Sequence, residues 1–118
     1  MNKAQEAQWL ELEKGLQAAE RTFEILSEEE RRETAEKLLE AAEALGESLE
    51  RDLSKLPEKV LFSAKGEAME EALAILEDAR DMMDEALRLL KEGPGADAEE
   101  AAAILGEAAD SLGDVVRL

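Results

Sequence analysis

Five polar residues of this chain fall where a helical protein should be apolar: Gln8, Ser48, Asp52, Lys65 and Ser111. Stepping about 100° per residue, Lys65 lies at the centre of an apolar helix face, between Leu61, Phe62, Met69 and Ala72. An amine enclosed there is desolvated, which lowers its pKa and equips it to form a Schiff base with a carbonyl compound. A snorkelling amine, its stem laid along the core and its head in water, is the bland alternative. Asp52 borders the inward face made by Leu45, Leu49 and Leu53. A carboxylate beside a core needs a partner, so Asp52 reads as a polar anchor, as the partner of Lys65, or as a general base. Gln8 shares a face with Leu12, and Ser48 and Ser111 flank the inward faces of their helices. Other chemistries lose their means. With no histidine and no cysteine, haem, most zinc sites, thiolate chemistry and disulfides are excluded. The series Asp78, Asp81, Asp84, Glu85 reads as a solvated face without the loop of a calcium site.

The elements that must hold these residues are helices. Trp9, Leu12, Leu16, Ala19, Phe23 and Leu26 recur three and four apart and predict a first helix over 2–25. Ser27 followed by Glu30 is a capping box opening a second helix over 28–55. Pro57 suits the first turn of a third helix over 57–91, which carries two apolar columns: Leu61, Ala68, Ile75, Met82, Leu89 and Phe62, Met69, Leu76, Met83, Leu90. A shorter reading breaks this helix near Gly66, within "FSAKGEAMEE"; the phase of Leu61 and Phe62 favours continuity. Gly93-Pro94-Gly95 stops it, and Asp97 with Glu100 caps a fourth helix over 97–118. Short connections make sequential helices antiparallel neighbours. The expected fold is all-α, a single domain over 1–118 forming an antiparallel up-down-up-down four-helix bundle.

In such a bundle one end collects the start of the first helix, the end of the second, the start of the third and the end of the fourth. All five polar exceptions fall at that end, together with Trp9, Phe62 and Met69. The opposite end is apolar, with Phe23, Leu26, Leu38, Met83 and Leu90 inward. Small residues point inward too. Gly15 and Gly46 cost helix stability where alanine would pack, while Ala72 and Ala108 leave either close packing or open volume. Gly106 and Gly113, seven apart, are read as points of close helix approach. A pocket between the helices is therefore expected, with Gly46 making room for a flat ligand. Its walls would be Gln8, Trp9, Leu12 and Gly15 from the first helix, and Leu45, Gly46, Ser48, Leu49 and Asp52 from the second. Phe62, Lys65, Met69 and Ala72 would come from the third, and Ala108, Ser111 and Leu112 from the fourth.

The 118 residues carry 14 basic and 31 acidic side chains, a net charge of −17, with aromatics at 3%. That charge repels nucleic acid and anionic membrane surfaces. No apolar run approaches the length of a membrane span and no basic-then-apolar leader opens the chain, so a soluble monomer is expected, compatible with cytoplasmic expression. Caps, stops and binary pattern agree almost everywhere. In "LSEEERRETAEKLLEAAEAL", "LPEKV" and "KEGPGADAEEAAAIL" the chain resembles de novo designed single-chain four-helix bundles. The resemblance implies a bare scaffold, a metal or haem carrier, a small-molecule binder or occasionally a catalyst; di-iron designs need histidines that are absent, and the inward small and polar residues point to a largely apolar, polycyclic ligand with no metal and no cofactor. Two rival classes follow from the same residues. One is a bare scaffold or protein-interaction module, and the other is a designed catalyst using Lys65 or Asp52. The expectation is binding, not catalysis.

Overall fold

The computed structural model describes residues 1–92 and 97–116, and among them every regular element is helical. Helix α1 spans Lys3–Thr22 and tightens into a 3-10 turn at Phe23–Ile25; α2 spans Glu28–Ser54, α3 Glu58–Leu61, α4 Ala64–Lys91 and α5 Ala98–Val116. The molecule measures 53 × 23 × 19 Å. None of the helices is long and apolar enough to cross a membrane among the described residues.

Local chemistry fixes the ends. Asn2 caps α1: its side chain accepts from the Gln5 N–H at 2.8 Å, and the Gln5 side chain accepts from the Asn2 N–H at 3.0 Å. The expected Ser27–Glu30 box opens α2, with both bonds formed. Between these helices, the Arg31 guanidinium donates to the carbonyls of Phe23 and Glu24, which satisfies acceptors stranded at the end of α1. Asp97 Oδ1 accepts from the Glu100 N–H at 3.0 Å and starts α5. The expected stop at Gly93-Pro94-Gly95 lies outside the described residues, as does the tail after residue 116.

Helix α1 packs on α2 and α5, α4 packs on α2 and α5, and α3 packs on α4. The stripe Trp9, Leu12, Leu16, Ala19, Phe23 meets Leu45 and Leu49 of α2, Leu76 and Met83 of α4, and Leu105 and Leu112 of α5 in one buried core. Burying each large apolar side chain contributes about 1.5–3 kcal/mol. Alanines 35, 42, 72, 79, 86, 101, 108 and 109 are buried among them and bring the helices together. Gly106 and Gly113, read from sequence as points of close helix approach, face α1. The Glu20 and Glu13 side chains of α1 lie where Cβ atoms on these two glycines would stand.

The continuous third helix is not found. Phe62 ends α3, and Ser63 is extended, at φ −84° and ψ 170°, before α4 begins. The Ser63 hydroxyl donates to the Val60 carbonyl, and Glu67 N–H bonds the Ser63 carbonyl at 3.0 Å to start the new helix. Gly66 lets this corner close. A Cβ there would strike the backbone carbonyls of Val60 and Leu61. Pro57 correspondingly sits at the N-cap of α3 rather than inside its first turn. One extended residue resets the helical phase, so columns that agree beyond residue 66 do not extend back through Leu61 and Phe62. Phe62 is 78% exposed, and Lys65 is exposed in the first turn of α4. Of the two columns, Met69, Leu76, Met83 and Leu90 are buried, whereas Ile75, Met82 and Leu89 are half-buried and Ala68 is exposed.

Candidate functional site

The polar focus of the molecule is Gln5, one turn ahead of Trp9 on the same stripe of α1. It is only 2% exposed, and its side-chain amide donates to Ser48 Oγ at 3.0 Å and to Asp52 Oδ2 at 2.7 Å. The second bond is charge-assisted and correspondingly short. The amide oxygen is used by the Asn2 cap, so one side chain ties the start of α1 to the last two turns of α2. Beside it lies a pocket of about 250 Å³ lined by Met1, Asn2, Gln5, Asp52, Lys55, Leu56, Lys65 and Met69. Its chemistry is mixed. Methionine and leucine side chains supply an apolar wall, Asp52 a carboxylate and the two lysines ammonium groups. Asp52 and Lys65 share this pocket without forming an ion pair: among the described residues the ion pairs are Arg80–Asp81, Arg88–Asp84 and Lys91–Glu36.

The expected wall residues divide among several places. Asp52, Lys65 and Met69 line the end pocket, with Ser48 bonded just behind it. Gln8 and Leu12 of α1 line a groove of about 310 Å³ on the α1–α2 flank, with Leu38, Ala41 and Leu45 of α2 opposite. Gly15 faces that same helix pair: a Cβ there would come 2.8 Å from Leu38 Cδ2. Gly46 lies on the other flank of α2, in a groove against α4 of about 320 Å³. Trp9, Leu49, Ala72, Ala108 and Leu112 are core, and the Trp9 indole N–H donates to the Leu112 carbonyl at 2.9 Å. Ser111 is half-buried and lines none of these three spaces. Phe62 is brought to none of them.

Three expectations are thereby corrected. The inward amide is Gln5, and Gln8 is exposed on the flank. Lys65 is not enclosed in an apolar face, because the break at Ser63 turns it outward. Gly15, Gly106 and Gly113 do not open onto free space: side chains from neighbouring helices stand where their Cβ atoms would be. Gln5 could have been found from the sequence. The spacing Asn2-x-x-Gln5 is a capping box, and extending the Trp9–Leu12–Leu16 stripe back by one turn lands on residue 5.

No protein-family model, curated protein or solved structure matches the chain.

Proposed function

We propose that the chain is a monomeric antiparallel up-down-up-down four-helix bundle, akin to de novo designed bundles, that binds a small molecule at the end held by Gln5, Asp52 and Lys65. Support for the bundle comes from the pairing of α1 with α2 and α5, and of α4 with the same two helices. The bonds from Gln5 to Asp52 and from Trp9 to Leu112 agree with it, since both join the start of α1 to the end of a neighbour. Helix α3 is then a short lead-in to the third long helix. The kinship with designed bundles is supported by capping boxes at both Asn2 and Ser27, formed in full.

The observation that carries the binding reading is the half-buried Gln5–Asp52 bond beside a pocket with one apolar wall. An amide already bonded to Ser48 and Asp52 holds the carboxylate in one orientation, leaving the other face of that group to a ligand. A dry cavity of about 150 Å³ admits benzene, so a space of about 250 Å³ suits one or two rings rather than the polycyclic ligand expected from sequence. Such a ligand lays its apolar body on Met1, Leu56 and Met69 and a polar group between Asp52 and Lys65. The test is a thermal-shift screen of one- and two-ring amines and amides, repeated on Asp52→Ala. A set of compounds that raise Tm on the parent and not on the variant supports the reading; no response from any compound sinks it.

A second reading, the bare scaffold, has its own observation. Among the described residues every buried side-chain nitrogen and oxygen has a hydrogen-bond partner, so nothing polar inside waits for a ligand. The same screen separates the two. A scaffold melts at one temperature whatever is added.

A further inference from the structure

We propose that the groove between α2 and α4, floored by Gly46 and Leu76 and rimmed by Glu43, Glu47, Glu50 and Glu77, binds an organic cation with a compact apolar body. This site is separate from the end pocket and shares no lining residue with it.

The first argument is the glycine. Among the described glycines, four stand where a Cβ would collide: with Leu38 at Gly15, with the α3 carbonyls at Gly66, and with Glu20 and Glu13 at Gly106 and Gly113. At Gly46 a Cβ would rest 3.8 Å from Leu76 Cδ2, an ordinary contact. Packing does not call for glycine there, and helix propensity opposes it. The space it leaves is the floor of a groove of about 320 Å³, continued in apolar surface by Ala42 and Leu73. This volume falls at the lower end of the range for small-molecule sites.

The second argument is charge. Glu43 and Glu47 lie one helical turn apart on the α2 rim, and like charges at that spacing repel. Glu77 faces them from α4. The rim's one guanidinium, Arg80, reaches Asp81 at 3.6 Å, and no ion pair among the described residues relieves the four glutamates. Among the described residues no three acidic side chains are grouped to hold a metal ion. Spread carboxylates above an apolar floor instead suit a bulky ammonium, whose charge meets the rim while its hydrocarbon covers Leu73 and Leu76.

The experiment is an NMR titration of the full chain with cyclohexylmethylammonium, with cyclohexylmethanol and methylammonium as its two halves. Saturable shifts at Gly46 and at the Leu73 and Leu76 methyls are expected from cyclohexylmethylammonium alone. Glu43→Gln with Glu47→Gln, both exposed and so harmless to the fold, should weaken binding at least tenfold. Gly46→Leu should abolish it, and Asp78→Asn with Glu85→Gln, elsewhere on the acidic surface, should leave it within twofold. Equal shifts from methylammonium, non-saturating shifts across the acidic surface, or unchanged affinity in the rim variant would each overturn the proposal. Shifts confined to Gln5 and Met69 would overturn it as well, by assigning the cation to the end pocket.

Discussion

Gln5 and Asp52, 47 positions apart in sequence, are joined by a 2.7 Å hydrogen bond that ties the first turn of α1 to the last turn of α2. The amide that donates it is almost wholly out of solvent. Deleting a hydrogen bond to a charged acceptor costs about 1–3 kcal/mol, toward the low end here because Asp52 is half-buried, and Gln5→Ala also removes the partner that completes the Asn2 cap. That variant should therefore lose stability in urea denaturation by an amount within or above this range. Gln8→Ala, on an exposed residue, should stay within about 0.5 kcal/mol of the parent. Equal losses at the two positions would contradict the placement of the amide.

Two glycines twenty residues apart should respond to alanine with opposite signs. At Gly66 the obstacle to a methyl group is backbone, the carbonyls of Val60 and Leu61, which cannot move without opening the α3–α4 corner. Overpacking of this kind costs about 1–3 kcal/mol. At Gly46 the nearest neighbour is a leucine methyl at 3.8 Å, so Gly46→Ala should gain up to about 1 kcal/mol from helix propensity. Chemical denaturation of the two variants side by side checks this. A destabilised Gly46→Ala would assign that glycine to packing and remove the first argument for the α2–α4 groove.

Phe62 and Met69 belong to one apolar column in the sequence, yet the fold treats them differently. Phe62 is 78% exposed and Met69 only 5%. Phe62→Ser should leave Tm within a degree or two, since exposed substitutions change stability by about 0.5 kcal/mol or less. Met69→Ala removes a buried side chain and should cost about 2 kcal/mol or more. Comparable losses would mean that α3 and α4 run on as one helix in solution.

What was legible in the sequence was whatever depends on a few neighbouring residues. The Ser27–Glu30 box, the Asp97 cap and the buried stripe from Trp9 to Phe23 follow from side-chain chemistry at fixed spacing, and the structure has them where that chemistry puts them. The break was legible only as an alternative, from Gly66, and the phase across Ser63 was not, so the apolar columns favoured the continuous helix that the structure does not have. Periodicity counts 100° per residue only while the helix continues, and nothing apolar marks a single extended residue. The candidate site was legible by its end of the molecule and not by its members. Asp52, Lys65 and Met69 do line one pocket, but Gly46 and Gln8 face different flanks of α2 and α1. Which flank a border residue faces depends on helix rotation, and a difference of one third of a turn decides it.

Glu30 accepts from the Ser27 N–H at 3.2 Å, and that bond, followed by its contact with the Ser27 side chain, holds its carboxyl below the ordinary glutamate range, with desolvation opposing only slightly. The ionised form is the one that folding favours. Its contribution is therefore fully present above the unfolded-chain value of about 4.3 and is lost as pH falls through the lower folded value. Glu30→Gln keeps an acceptor for the Ser27 N–H but cannot titrate. Stability of parent and variant should differ by a constant amount from pH 7 down to about pH 5, then converge as the pH drops further. A difference that is flat through the acid limb, or a Glu30 carboxyl titrating at or above 4.3 by carbon-detected NMR, would show that the α2 cap does not hold the ionised form.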